Sequence, residues 1–175
     1  MLIIKLFFLY SLLIMTTTSQ TFLYESMSSS YLQTSQRQSL FDKLAPDPAL
    51  STFMDVLTQV DDVLQLINST HDKTLYTIFC PINSAFQEFR LLYGHDNLDE
   101  FLRNHIVPHE RLLPSELPSR HVLPTLLDHQ TIQVKYHYLS HKVVLNGHAQ
   151  VDMKHVVEAT NGIAYKINHL LRPAK

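Results

Sequence analysis

The sequence is poor in glycine, cysteine and net charge, and each shortage excludes a class of function. Its 175 residues include three glycines, Gly94, Gly147 and Gly162. They lie too far apart to form a dinucleotide-binding G-x-G-x-x-G, a P-loop or a G-x-S-x-G nucleophile elbow. The single cysteine, Cys80, excludes an intrachain disulfide, a C-x-x-C redox pair and a zinc site built on several thiolates. A formal charge of −2 provides no electrostatic basis for binding nucleic acid.

The amino terminus has the organisation of a secretory signal peptide. One positive residue, Lys5, precedes a mostly apolar run over residues 6–15, and small residues follow up to Ser19. A membrane-spanning helix needs about 20 apolar residues, so this run is too short for an anchor. We predict that residues 1–19 are a signal peptide and expect no transmembrane segment after its cleavage.

Residues 20–38 are rich in serine and glutamine and show no sustained hydrophobic period. We predict that they form a flexible leader to the folded domain. Farther along, Asn68-Ser69-Thr70 is the one N-x-[ST] sequon of the chain. Because it lies among polar residues between two apolar segments, we expect it in a surface loop. Behind a signal peptide, Asn68 is then a candidate for N-glycosylation.

Apolar residues at helical spacing predict four short helices between Asp47 and Pro108. Asp47-Pro48 is typical of an N-cap followed by proline at the first helical position. Asn83 is predicted to cap the third helix by accepting hydrogen bonds from the N–H groups that open it. The fourth helix is predicted to run from about Asn97 to Ile106, where Pro108 stops it.

Two segments have strand patterns of different kinds. Residues 75–80 (LYTIFC) are rich in β-branched and aromatic side chains, which predicts a buried strand stopped by Pro81. Residues 131–138 (TIQVKYHY) alternate apolar and polar side chains, which predicts a half-buried strand.

Two Asn-Gly pairs indicate turns in the last third of the chain. Asn146-Gly147 is the stronger hairpin signal, because both central residues of such a turn need a positive φ. Asn161-Gly162 is predicted to make a second tight turn, with positive φ at the glycine, before a closing strand over residues 163–171. Helices first and strands later predict an α+β domain with an antiparallel sheet.

Several of these segments, taken in order, resemble the motifs of the fasciclin domain family. Residues 77–86 (TIFCPINSAF) are similar to the first family signature, and residues 159–168 (ATNGIAYKIN) are similar to the second. Residues 102–108 (LRNHIVP) and 144–147 (VLNG) stand between them in the family's order. With a closing L-x-P, the resemblance covers residues 39–174, one complete domain.

The resemblance implies a wedge-shaped antiparallel β-sandwich flanked by several short α-helices. It also implies a non-catalytic extracellular adhesion or matrix-interaction module, without a cofactor, whose partner is a cell-surface or matrix protein or glycan. The motif residues to which it gives structural roles are Thr77, Phe79, Pro81, Asn83, Phe86, His105, Asn146, Gly147, Thr160, Asn161, Gly162, Ile167 and Pro173.

The sequence departs from the family at the positions associated with integrin contact in animal members. The aspartate of the family's D-I-x-A-T-N-G stretch falls on Val156, and the tyrosine before the motif histidine is replaced by Asn104. The family's later histidine and aspartate fall on Tyr165 and Asn168. We therefore do not expect an integrin-type contact, while the fold is unaffected.

Histidines offer the best material for a catalytic or metal site, and the patterns do not favour one. His105 and His109, like His137 and His141, have the spacing of two metal ligands on a helix. Pro108 breaks the helix that would carry the first pair, and the second pair lies at the end of a strand. Cys80 follows a buried strand and is expected to be a packed small hydrophobe. We expect no enzyme activity and no metal or cofactor.

The alternative to secretion and adhesion is a lumenal or vacuolar protein that binds a small apolar or metal ligand on the same scaffold. One unanchored domain lacks the multivalency on which adhesion depends, and this favours the alternative.

The eleven histidines also suggest a pH-dependent contact with an acidic glycan. Removal of residues 1–19 takes away one of the 14 Lys and Arg residues and none of the 16 acids, so the formal charge becomes −3. Protonation of all eleven histidines would then make it +8.

Overall fold

The computed structural model describes residues 37–71, 73–89 and 97–172. The predicted signal peptide, most of the predicted leader and Pro173 lie outside these residues. The α-helices are α1 (Leu40–Leu44), α2 (Ser51–Leu57), α3 (Asp61–Asn68) and α4 (Leu98–Asn104), and 3-10 helices span Pro48–Leu50, Asn83–Glu88 and Leu117–Ser119. The strands are β1 (Tyr76–Pro81), β2 (Ile106–Pro108), β3 (Val122–Pro124), β4 (Thr131–His137), β5 (Lys142–Leu145), β6 (Ala149–Gln150), β7 (Val157–Ala159) and β8 (Gly162–Ile167).

The strands form two four-stranded sheets, ordered β2-β1-β8-β7 and β3-β4-β5-β6. The second sheet is antiparallel throughout, as predicted. The first sheet is also mostly antiparallel, but its central pair, β1 and β8, is parallel, which the sequence did not predict. A parallel pair joins strands that are distant in the chain, and no local turn motif signals it.

The first sheet lies between the helices and the second sheet, which explains why β1 is buried along its whole length. Ile78 and Cys80 pack in the hydrophobic cluster that contains the helices. Phe79, between them, packs in the cluster shared with the second sheet. Because both faces of the strand are covered, its sequence is a continuous apolar run rather than an alternating one.

Only one face of the second sheet is buried. Ile132 and Val134 of β4 are buried against the first sheet, and the intervening residues are exposed. The turn after β5 has φ of 48° at Asn146 and 78° at Gly147, which confirms the hairpin that the sequence predicts.

The amino-terminal helix α1 was not predicted, although the sequence carries its signal. The Ser39 hydroxyl accepts from the Asp42 N–H, and the Asp42 carboxylate accepts from the Ser39 N–H. This reciprocal pair is a capping box. Leu40 and Leu44 are buried behind it, so residue 39 is already part of the packed fold.

Two predicted helix boundaries are wrong. Helix α4 ends at Asn104 instead of near Ile106, because Ile106–Pro108 forms strand β2 against β1. The Asn83 helix begins after an extended Ile82 whose side chain makes no capping hydrogen bond. Asn83 is therefore the first residue of that helix and not its cap.

Candidate interaction surface

Thr77 of the first family motif and Tyr165 of the second hold the backbone N–H and carbonyl of one loop residue, Leu112. The Thr77 hydroxyl accepts from the Leu112 N–H at 2.9 Å and donates to the Glu110 carbonyl at 2.7 Å. The Tyr165 hydroxyl donates to the Leu112 carbonyl at 2.6 Å, and the Tyr165 ring stacks on Phe79 at 5.8 Å. Burial raises the pKa of the Tyr165 phenol, so this hydroxyl stays a donor.

The buried pair Asn104 and His105 holds the backbone of Leu171. The Asn104 amide donates to the Leu171 carbonyl at 3.1 Å, and Nε2 of His105 accepts from the Leu171 N–H at 3.0 Å. Nδ1 of His105 lies 2.7 Å from the Phe101 carbonyl and must be the protonated nitrogen. Both ring nitrogens are thus occupied, and a metal could not bind this histidine without breaking the fold.

The second family motif ties helices to the first sheet. Oδ1 of Asn161 accepts from the Leu40 N–H at 2.8 Å, and its Nδ2 donates to the Ile67 carbonyl at 2.6 Å. Gly162 has a nearly extended φ of 158°, and a Cβ there would lie 2.1 Å from the Tyr76 carbonyl oxygen. The φ at Gly162 is positive, as predicted, and the close approach of two backbones is a second reason that glycine is required here.

Asn83 acts as a cap, but on α2 instead of on its own helix. Its Oδ1 accepts from the Thr52 N–H at 3.0 Å, which is one of the free donors at the start of α2. Its Nδ2 donates to the Pro48 carbonyl at 2.9 Å and to the Ser51 hydroxyl at 3.0 Å. Asp47 caps the Pro48–Leu50 helix by accepting from the Ala49 N–H, as predicted.

The remaining motif residues also serve the fold. Oδ1 of Asn146 accepts from the Gln133 N–H at 2.8 Å, and the Thr160 N–H donates to the Gln38 carbonyl at 3.1 Å. The Phe86 ring packs edge-on against Phe101 at 5.6 Å. Pro81 and Ile167 are buried partners in the β1–β8 register. Because these motif residues are engaged within the domain, a binding surface has to be built from other side chains.

Asn68 lies at the surface, as the glycosylation prediction requires. It is the last residue of α3 rather than a loop residue, and its side chain is exposed. Its Oδ1 accepts from the Ser39 hydroxyl at 3.0 Å. This hydrogen bond does not involve Nδ2, the atom that would carry a glycan.

The candidate metal and nucleophile residues are not gathered into a site. Within residues 37–71, 73–89 and 97–172, no three His, Cys, Asp or Glu side chains come close enough to hold a metal ion. Cys80 is buried, and burial raises the pKa of its thiol. The two histidines of the second pair lie in different elements. His137 is the last residue of β4, whereas His141 lies in the turn after it, with its Nδ1 2.8 Å from the Tyr136 hydroxyl.

The outer face of the second sheet carries positive charge. Lys135 and His137 of β4 point outward, and His137 lies directly opposite Lys142 of β5. Residues 129–151, which include β4, β5 and β6, contain no Asp or Glu. We call the outward-pointing residues of β4, β5 and β6 the outer face. The motifs do not indicate this face, although the absence of acids from residues 129–151 is a signal of it in the sequence.

The tip of the β4–β5 hairpin adds exposed apolar surface. Tyr138 is 80% exposed and Leu139 is fully exposed. Tyr136 stabilises this turn. Its ring packs edge-on against Tyr138 at 5.0 Å, and its hydroxyl contacts His141. We call Tyr138 and Leu139 the hairpin tip.

A groove of about 520 Å³ lies between this turn and the end of β8. Its charged lining residues are His141, Lys142, Asp152, Lys154 and Lys166. Lys166 is paired with Asp47, and its hydrogen bond lowers the pKa of that carboxyl. Asp152 is hydrogen-bonded to Nδ1 of His155 at 2.8 Å.

None of the helices in the part of the chain that the structure describes has the length and apolar character needed to cross a bilayer.

Comparison with known proteins identifies the family. A search of curated proteins finds no match to this chain. Among solved structures, the chain is similar to the FAS1 domain pair from the insect cell adhesion molecule fasciclin I, with a TM-score of 0.59 and 21% sequence identity. The match covers 77% of this chain and 50% of that one, so the chain spans half the length of the structure that it resembles. The likeness confirms the α+β fold that the motifs imply.

The family model described as the Fasciclin domain matches residues 48–173. This range holds the motif segments and most of the chain, and the protein belongs to the fasciclin domain family.

Proposed function

We propose that the protein is a non-catalytic adhesion or matrix-interaction module that works outside the cell and binds a protein or glycan partner. The contact surface is the outer face together with the hairpin tip. The observation that carries the proposal is the exposure of Tyr138 and Leu139 side by side at a braced turn.

Exposed aromatic and aliphatic side chains at one place are typical of contact sites. Tyrosine is enriched among the residues that dominate binding energy, since its ring is large and its hydroxyl tolerates water. The Tyr136 contacts orient the tip before any partner arrives, which lowers the entropy lost on binding. A structured and exposed apolar tip therefore supports a role in recognition.

The extracellular location rests on the signal-peptide pattern of residues 1–19 and on the exposed sequon residue Asn68. The absence of catalysis is supported by the burial of Cys80 and by the occupied ring nitrogens of His105. A buried thiol with a raised pKa is a poor nucleophile at neutral pH.

The groove beside the tip supports the alternative of a small ligand less well. Its volume of about 520 Å³ is within the range of small-molecule sites, but such sites are mostly apolar. Lysine, aspartate and glutamine side chains line it together with the apolar side chains of Ile82, Val151, Met153 and Ile167. A partner with both charged and apolar parts suits this groove better than a purely apolar ligand.

The experiment is an attachment assay on protein purified from the medium of secreting cells. Wells coated with the wild-type domain should retain cells, or isolated matrix material, of the organism that makes it. Tyr138→Ser combined with Leu139→Ser should abolish most of the attachment. Leu113→Ser, which removes another exposed apolar residue, should leave it unchanged. Retention of the protein inside the cell, or equal attachment by the double variant, would overturn the proposal.

A further inference from the structure

The cations of the outer face stand in a part of the chain without acids, since residues 129–151 contain no Asp or Glu. Elsewhere on the surface, Arg103, Arg111 and Arg120 each form an ion pair with an acidic side chain. Lys135 and Lys142 form no ion pair with any described residue, which is also true of Lys43, Lys73 and Lys154. Two positive side chains on this face are therefore available to a negatively charged partner.

The register of the hairpin places these cations close together. His137 lies directly opposite Lys142, and Lys135 lies opposite Val144, two residues farther along β5. Diagonal neighbours on one face of an antiparallel pair are roughly 7–8 Å apart. Lys135 and Lys142 are diagonal neighbours of this kind, and like charges at that distance repel each other. A bound anion would remove that repulsion, so the arrangement favours a charged ligand over an empty surface.

The cations continue along the length of the hairpin instead of converging on one point. At one end the groove brings Lys154 next to Lys142. Lys166 and Asp152 also line this groove, but Lys166 is paired with Asp47 and Asp152 is hydrogen-bonded to His155. At the other end Arg172 and His148 lie beside Gln133 in a shallow depression. Strand β4 spans roughly 23 Å at the usual rise per residue. A row of this length suits a chain with repeated negative charges better than a single small anion.

The uncharged residues of the outer face indicate the chemistry of that chain. Thr131 and Gln133 of β4 and Gln150 of β6 stand on the same side of the sheet as the lysines. Their hydroxyl and amide groups can donate to and accept from sugar hydroxyls. A flat sheet surface that alternates amides with cations is suited to an acidic polysaccharide. The apolar tip alone would suit a membrane, but it occupies one end of the face.

We propose that the outer face binds an acidic polysaccharide, a sugar polymer that carries carboxylate or sulfate groups, along the β4–β5 hairpin. This inference rests on the proposed adhesion function and names the class of its partner. Lys135 and Lys142 supply the main charges, and the groove at the hairpin end receives a further acidic unit.

The probes are polygalacturonate for carboxylates, heparin for sulfates and dextran as the uncharged control. Affinity is measured at low and at physiological salt, since contacts between exposed charges are screened by salt. The wild-type domain should bind at least one of the two polyanions and should not bind dextran. Binding should weaken as salt increases.

The test variant is Lys135→Gln with Lys142→Gln, and its matched control is Lys43→Gln with Lys73→Gln. Both remove two exposed lysines and change the net charge equally, but the control residues lie outside the outer face. The test variant should bind about tenfold more weakly than wild type, and the control should stay within about twofold. Unchanged melting temperatures would show that both variants are folded.

Failure of the wild type to bind either polyanion at low salt would overturn the inference, as would equal losses in the two double variants. Binding to vesicles of phosphatidylserine and phosphatidylcholine, without binding to polysaccharide, would overturn it in favour of a membrane. The attachment assay separates the two proposals. If attachment persists while polyanion binding fails, only the partner class is wrong, and if both fail, the adhesion function is wrong too.

Discussion

The backbone N–H of Leu171 donates a hydrogen bond of 3.0 Å to Nε2 of His105, a residue 66 positions earlier in the chain. The opposite ring nitrogen is held by the Phe101 carbonyl at 2.7 Å. Burial lowers the pKa of His105 to about 4. This histidine is therefore a neutral element of the fold that joins α4 to the end of the domain. It adds no charge at pH 5, so protonation of the other ten histidines would bring the formal charge of the chain without residues 1–19 to +7 instead of +8.

The first prediction is that His105 makes the domain less stable in acid. In the unfolded chain a histidine gains its proton near pH 6.5, whereas folded His105 gains it near pH 4. Between these values the unfolded state binds more protons, so the free energy of unfolding falls as the pH drops from about 6.5 to about 4, by about 3 kcal/mol. Denaturant midpoints measured from pH 7.5 to pH 4 would detect this loss.

His105→Gln is the matched variant. It should be less stable than wild type at pH 7.5, because two buried hydrogen bonds are altered, but its stability should change less with pH. Parallel pH profiles for the two proteins would contradict the assignment of this titration to His105.

The second prediction concerns the close approach at Gly162. A Cβ at this position would lie 2.1 Å from the Tyr76 carbonyl oxygen and 2.9 Å from a Leu40 methyl group. Since the first neighbour is backbone in β1, it cannot move without opening the β1–β8 pair. Gly162→Ala should therefore cost about 3 kcal/mol or more of stability. Gly147→Ala is the control, with φ of 78° and nothing within 4 Å, and should cost about 1 kcal/mol. Equal melting temperatures in the two variants would disprove the packing argument.

The third prediction assigns Asn83 to helix α2. Asn83→Ala removes an acceptor for the Thr52 N–H and two donor contacts, to Pro48 and Ser51. The loss should be about 1 kcal/mol, the usual value for a helix cap. Hydrogen exchange should increase at the start of α2 and not in the helix that follows Asn83. Ser84→Ala, at the neighbouring exposed position, should change neither measurement.

The fourth prediction is that Asn68 carries an N-glycan when the protein passes through the secretory pathway. Its exposed side chain at the end of α3 is accessible to the transferase. Asn68→Gln and Thr70→Ala should each remove one glycan and increase electrophoretic mobility by the same amount. Thr70→Ala leaves the contact between Asn68 and Ser39 in place, so it separates loss of the glycan from loss of that hydrogen bond. A wild-type protein insensitive to endoglycosidase would contradict the prediction.

The fifth prediction is that retention on the acidic polysaccharide is stronger at pH 5 than at pH 7.5. Histidines as a class gain charge between these values, and His137 and His141 lie at the hairpin. The charged and titratable groups that face them are Lys135, Lys142, Lys154, Lys166, Asp152 and the Tyr136 hydroxyl. His137→Gln with His141→Gln should remove most of the difference. Equal retention of wild type at both pH values would show that the histidines have no part in binding.

Features determined by neighbouring residues could be predicted from the sequence, and contacts between distant residues could not. The alternation in β4 and the turn at Asn146-Gly147 follow from local side-chain and backbone preferences, and both are present. Four family motifs in order were enough to identify the fold. The partner of Asn83 is a helix start about 30 residues earlier in the chain, and no pattern within the motif indicates it.

The interaction surface also depends on strand register and packing, which the local sequence does not determine. In the sequence, Lys135 and Lys142 look like ordinary solvent-facing residues of two strands. Only the register of the hairpin places Lys142 opposite His137 and on the same side as Lys135. The exposure of Tyr138 and Leu139 likewise depends on what packs around the turn, which the sequence of the hairpin does not determine.

The parallel pairing of β1 with β8 also sets the order of events when the protein is made. Strand β1 emerges from the ribosome long before Gly162–Ile167, its neighbour in the sheet. Until those residues are synthesised, β1 presents an unpaired edge to solvent, a surface on which chains aggregate. Contacts between distant segments also slow folding. The first sheet can therefore be completed only after residue 167 has left the ribosome, and a shorter nascent chain exposes that edge of β1.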